Sequence, residues 1–217
     1  MTTPTDKYLT NKVFNQCTLK NIELKYNSTF SFIIDNCTIE DLNINNSNMP
    51  IDGVFAISEC DIGQIEINNC IFRNEFIFID NIPLHTNQLD FYIFYCTFEK
   101  SFSFEDNRLD KTQVTFADSK FKENSHFRNN TVGNILIERC DFDTLKEANF
   151  NNFNINNKLD YDKETCRIIK HHLEKNNNKI EANKFHSYEL KAKKNQLFTK
   201  PKIIEKLDEK TVFLTNE

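Results

Sequence analysis

The stretch Phe55-Ala-Ile-Ser-Glu-Cys-Asp-Ile-Gly-Gln-Ile-Glu-Ile-Asn-Asn-Cys-Ile-Phe72 decides the fold. Large apolar residues recur every five positions, and the beat runs on as Ile57, Ile62, Ile67, Phe72, Ile77 and Ile82. A second series, Phe55, Cys60, Ile65 and Cys70, stands two residues ahead of it. Residues two apart on a strand share a face, so both series point to one interior. A short fixed period of this kind is the signature of a coiled solenoid.

Working outward, the pattern of small residue, spacer, large residue returns at Cys17 and Leu19, Cys37 and Ile39, Cys70 and Phe72, and Cys96 and Phe98. It continues at Ser119 and Phe121 and at Cys140 and Phe142. An apolar couple precedes many of these at a constant offset: Phe32 and Ile34, Ile65 and Ile67, Phe91 and Ile93, Val114 and Phe116, Ile135 and Ile137. If four five-residue faces close one turn, equivalent positions recur after roughly twenty residues. Cys60 and Cys70 then occupy opposite walls. The expected inward ladder is Cys17, Cys37, Cys60, Cys70, Cys96 and Cys140 with Phe72, Phe98, Phe121 and Phe142.

This pattern resembles the pentapeptide-repeat family, over residues 11–157 and in degenerate form. The resemblance implies a right-handed, four-sided parallel β-helix of about seven coils, on the order of 34 Å long at ~4.8 Å per layer. Phase is lost near Pro83 to Asp90, between Phe98 and Phe116, and between Phe121 and Ile137, where bulges or excursions are expected. Large residues at the small position, such as Phe32, Phe55 and Ile65, leave a wider, less regular coil open as an alternative.

With 217 residues, 39% of them hydrophobic, the chain can bury a sizeable core. Phe, at 21 copies, is its main filler, and each buried ring contributes roughly 1.5 to 3 kcal/mol. Glycine is scarce at 3, so the corners fall to asparagine, which tolerates left-handed φ. Asn36, Asn69, Asn81, Asn107 and Asn130 lie at expected corners.

From residue 158 the beat gives way to helical spacing. Ile168, Ile169, His172 and Leu173 share one face, followed by Ala182, Phe185, Tyr188, Glu189 and Ala192. A helical pair is expected over 158–198, with Asp160 or Asp162 as first cap and Asn176 to Asn178 as the break. Its role is to cover the open end of the coil. Glu189 is expected to pair with a cation such as Arg167. The pair Cys166-Arg-Ile-Ile-Lys170 and Phe185-His-Ser-Tyr-Glu189 also resembles the segment after the coil in membrane-anchored pentapeptide-repeat proteins. That resemblance implies a tail, 199–217, leading to a membrane domain beyond Glu217.

The seven cysteines contain no CxxC, and Cys166, His171, His172 and His186 show no ligand spacing, so no metal, disulfide or cofactor is expected. No glycine-rich phosphate loop or nucleophile motif is present, and the expected protein is not an enzyme. Asp106 with Arg108 and Asp110, or Glu138 with Arg139 and Asp141, read as ion-paired strand edges. Residues 158–217 carry a net charge of +4 and the rest −9, within a total of −5. Direct nucleic-acid binding is not expected of an acidic coil.

The expected function is a non-enzymatic, cytoplasmic interaction or sensor module, the cytosolic domain of a membrane-anchored bacterial protein, in the cytoplasm or at the cytoplasmic face of the inner membrane, meeting a protein partner or a second copy of itself. Contact is expected from outward strand residues and from the Pro83 to Asp90 excursion, with Leu84, His85 and Leu89. One alternative is a DNA-mimicking binder of a type II topoisomerase, and a second is a carbohydrate-binding or carbohydrate-cleaving β-helix.

Overall fold

A computed structural model describes residues 12–20, 22–24, 31–49, 53–84, 90–143, 146–157 and 161–199. Inward Phe, Ile and Cys alternate with outward polar residues, and the chain coils so that every sheet is parallel. The first wall has seven strands, from Lys12–Asn15 through Phe32–Asp35, Phe55–Ser58, Phe76–Ile79, Phe102–Glu105 and Ser125–His126 to Ala148–Asn149. The second wall is nine-stranded and includes the long strands Thr38–Asn45, Asp61–Asn68, Arg108–Ala117 and Thr131–Glu138. The third has five short strands, Asn48–Met49, Ile71–Phe72, Thr97–Phe98, Lys120–Phe121 and Asp141–Phe142.

The result is a β-solenoid of about five turns rather than the seven coils expected. Inward pairs keep the five-residue spacing within a turn: Phe55 and Ile57, Cys60 and Ile62, Ile65 and Ile67, Cys70 and Phe72 are all buried. The beat then slips. Arg73 to Glu75 place three residues between inward positions where earlier faces have two, so Phe76 and Phe78 turn in. Ile77 is half-buried on the outside and Ile82 is 45% exposed, which corrects their expected inward place.

Phenylalanine fills the bore in columns. Phe14, Phe32, Phe55, Phe76, Phe102, Phe127 and Phe150 follow one another along the first wall with centroids 4.6–5.6 Å apart. Phe72, Phe98, Phe121 and Phe142 form a second column at 4.7–5.1 Å. One-layer stacking of this kind adds roughly 0.5–1.5 kcal/mol per pair to burial. Cys37, Cys60, Cys70, Cys96, Phe72, Phe98 and Phe121 are buried, whereas Cys17, Cys140 and Phe142, near the ends, are half-buried. All seven cysteines are free.

Among the described residues of the coil twelve take left-handed φ, and none of them is glycine. Each stands one position before an inward corner residue: Asn36 before Cys37, Asn69 before Cys70, Asp80 before Asn81, Asp106 before Asn107, Asn129 before Asn130. Asn81, Asn107 and Asn130 therefore do not take the left-handed φ expected of them; Asp80, Asp106 and Asn129 do. The first three are completely buried rungs, in the place that cysteine holds elsewhere. Glycine serves close approach instead. A Cβ on Gly63 would lie 2.1 Å from the Glu40 carbonyl oxygen, and one on Gly133 would lie 2.6 Å from the Lys111 backbone, beside the bulge between Leu109 and Gln113.

Helix α1 spans Lys163–Lys175 and α2 spans Lys179–Thr199. Asp162 caps α1, accepting the Thr165 amide at 2.6 Å, and Asn178 accepts the Glu181 amide at 3.3 Å at the start of α2. Asn177 takes φ 59° between them. The pair covers the end of the coil: Ile169, Leu173, Ala182 and Phe185 are buried, and His172 lies on Phe142 and Phe150, the last rings of the two columns. Beyond Thr199 the expected tail lies outside the described residues.

Candidate functional site

The corner residues show first what the coil does not offer. At one corner the rungs Cys17, Cys37, Cys60, Asn81, Asn107 and Asn130 form a continuous chain. The backbone amide of each rung donates to the side chain of the next. The distance is 3.4–3.5 Å to cysteine sulfur and 3.0 Å to the asparagine oxygens. The carboxamides also donate sideways, Asn81 to Asn107 at 3.1 Å and Asn107 to Asn130 at 3.0 Å. Their second donors reach the carbonyls of Ile57 and Phe78, at 3.2 and 3.1 Å. These buried polar groups are satisfied and structural. Burial pushes the thiols of Cys60 and Cys140 up to about 11 and that of Cys166 to about 12, so these three are protonated at neutral pH and poor nucleophiles.

The outward carboxylates are engaged as well. Asp106 accepts from Asn129 at 3.0 Å and Asp110 from Asn156 at 2.8 Å. Arg139 forks onto Asp118 at 2.6 and 2.7 Å, which holds that carboxyl below its usual range, and also pairs with Glu138. Asp141 lies on the third wall and Glu138 on the second, so the two do not form one carboxylate pair. Glu189 pairs with Lys170 at 2.8 Å and, at 3.7 Å, with the expected Arg167; the Lys170 ammonium beside it lowers its pKa. Among the described residues no group of three His, Cys, Asp or Glu is placed to hold a metal ion, and no helix is long and apolar enough to cross a membrane.

The surface with binding geometry is the outer face of the second wall where it meets α2. Three layers supply it in register: Tyr92 and Phe94, then Thr115 and Ala117, then Leu136 and Glu138. The rings of Tyr92 and Phe94 stack at 5.3 Å. Small Thr115 and Ala117 behind them leave a step one layer deep, so both are buried although they face outward. Ala192, Asn195 and Gln196 of α2 form the facing side. Tyr161, stacked on Tyr188 at 4.2 Å with its phenol pushed up to about 12 by burial, closes the inner end. The recess measures about 810 Å³, a size at which small ligands or peptide side chains are held.

Tyr95 marks its rim. It is 61% exposed and sits at φ 53°, in a column whose other members are Asn46, Asn69, Asp118 and Arg139. A bulky ring in left-handed conformation is strained by roughly 1 kcal/mol or more, where Asn or Asp is not.

Of the expected contact residues, Leu84 is half-buried and donates its amide to the Ile62 carbonyl at 2.6 Å, which makes it part of the coil. His85 and Leu89 lie outside the described residues. Sequence reading passed over Tyr92, Phe94 and Tyr95, yet a signal was there. Phe91 to Tyr95 is an unbroken aromatic and apolar run, and on a strand only alternate members can face inward. Comparison of the chain with protein families, with curated proteins and with solved structures found no match in any of the three, so the likeness to pentapeptide repeats rests on its residue pattern alone.

Proposed function

We propose that the protein is a non-enzymatic interaction module whose contact surface is the recess between the second wall and α2. The observation that carries this reading is the exposed aromatic rim: Tyr95 is 61% exposed beside the groove, in a left-handed conformation that the other layers of the coil give to polar or charged residues. Tyr92 and Phe94 beside it supply the aromatic anchors typical of energetic centres in protein interfaces. A right-handed, pentapeptide-like coil belongs to the same proposal, supported by the five-residue spacing of inward pairs.

The test is site-specific photo-crosslinking in the source cell. A benzophenone side chain at position 95 is expected to trap one protein partner, while the same group at exposed Glu75, just ahead of the first-wall strand Phe76–Ile79, traps none. Absence of a protein adduct from position 95 overturns the reading, and specific retention on a glycan array would turn it to carbohydrate binding. A second reading, mimicry of duplex DNA toward a type II topoisomerase, is favoured by one feature. Glu59, Asp80 and Asp106 stand exposed one layer apart along a single corner of an acidic coil. Inhibition of supercoiling by the purified protein, unaffected by loss of Tyr95, would select it.

A further inference from the structure

The three walls end differently, and the difference exposes a second surface. On the first wall α1 meets the last backbone groups: Asn176 donates to the Ala148 carbonyl at 3.3 Å and Lys175 to that of Lys146 at 3.1 Å. On the second wall the Ile137 amide donates to Thr165 Oγ1 at 2.9 Å, and Lys184 donates to the Phe153 carbonyl at 3.2 Å. The nearby Asn152 amide donates to Glu181 at 2.9 Å. Helical side chains thus take the place of a next layer.

Among the described residues the third wall receives no such cover. Its last strand, Asp141–Phe142, pairs on one side with Lys120–Phe121, through Asp141 N–H to the Ser119 carbonyl at 2.9 Å and Asp143 N–H to that of Phe121 at 3.0 Å. In a parallel ladder the other edge then offers the Cys140 carbonyl and both backbone groups of Phe142. Among the described residues no backbone or side-chain group bonds to these three. Beyond the edge lies a groove of about 830 Å³ against α1. Half-buried Phe142 and Ile168 give it an apolar floor, and Arg167, Lys170, His171 and Lys175 line its helical side, against the carboxylates of Asp141 and Glu174.

We propose that this edge is a strand-addition site: an extended peptide with acidic side chains docks as a sixth strand of the third wall. An open strand edge binds a partner through main-chain hydrogen bonds, and neighbouring pockets select its side chains. Here an apolar residue of the peptide covers Phe142, while alternate acidic residues meet Arg167, Lys170 and Lys175 in competition with Glu164, Glu189 and the Lys146 carbonyl, which hold them in the free chain. The proposal does not depend on the recess on the second wall.

The test uses the whole chain, labelled for amide NMR, and an acetylated heptapeptide of alternating valine and glutamate. Expected are saturable shifts at the Phe142 amide with slowed hydrogen exchange there, and affinity about tenfold lower for the valine–lysine counterpart and for Arg167→Glu with the original peptide. A glutamate peptide N-methylated along one edge is expected not to bind. Silence at Phe142, equal binding of the lysine peptide, or binding indifferent to N-methylation would each overturn the proposal. Shifts confined to Tyr92 and Phe94 would overturn it too, while leaving the recess standing.

Discussion

Two corners of the coil solve one problem with different chemistry. One carries Cys17, Cys37 and Cys60 and then changes to Asn81, Asn107 and Asn130; the other keeps to Ser47, Cys70, Cys96, Ser119 and Cys140. Each rung must be small, must face inward and must receive the amide of the layer before it. Sulfur meets the last demand weakly, at 3.4–3.5 Å, and hides the rest of itself as a small hydrophobe. A carboxamide meets it at 3.0 Å but brings two donors that also need partners, so asparagine enters as a run and not as single substitutions. The asparagine run therefore stands or falls as a network, while the thiol rungs of the same corner are joined by single bonds to sulfur.

That contrast can be broken at its centre. Asn107→Ala removes an acceptor from Asn81 and a donor from the Phe78 carbonyl, leaving buried groups unpaired, and is expected to cost about 3 kcal/mol. Cys37→Ala, which removes a small buried group together with the sulfur that accepts the Cys17 amide, a weak acceptor, is expected to cost about 1 kcal/mol. Urea denaturation of the two variants reads the difference, and equal losses would mean that the asparagine ladder is not a cooperative unit.

The second corner ends at Cys140 and Phe142, under His172. Burial lowers the His172 pKa from 6.5 to about 4, so the ring is neutral on the phenylalanine columns while the unfolded chain takes up a proton below 6.5. Its contribution to stability is complete above pH 6.5 and is lost as pH falls toward 4, with a loss of about 2 kcal/mol once solvent contact is allowed for. His172→Phe should flatten that part of the stability profile. A slope unchanged by the substitution would place the pH dependence elsewhere.

The smallest effect concerns the column just before the second corner. Tyr95→Asn relieves the left-handed strain and is expected to stabilise the coil by about 1 kcal/mol while weakening capture at the recess. A gain in melting temperature with undiminished crosslinking from Phe94 would separate the strain from binding.

Much of the fold was legible because inward residues are large, apolar and evenly spaced from Phe55 to Phe72, and a period-two strand leaves them one face to occupy. The reading failed where a residue type gave the wrong signal. Ile77 and Ile82 continued the beat on the outside once Arg73 to Glu75 had shifted the phase, and Asn81, Asn107 and Asn130 read as solvated corners although they are buried. The recess was not legible as a site, since it joins Tyr92 and Phe94 to a helix a hundred residues further on.

By itself the sequence determined that this chain coils, that phenylalanine fills the coil and that a helical pair follows it, because periodicity and hydrophobicity act locally and add along the chain. Only the tertiary structure decided which asparagines lie inside, which aromatic rings remain outside and which wall ends uncovered. Those outcomes depend on what each residue meets one layer away, more than twenty positions along the chain, where hydrogen-bond partners and not residue preferences decide.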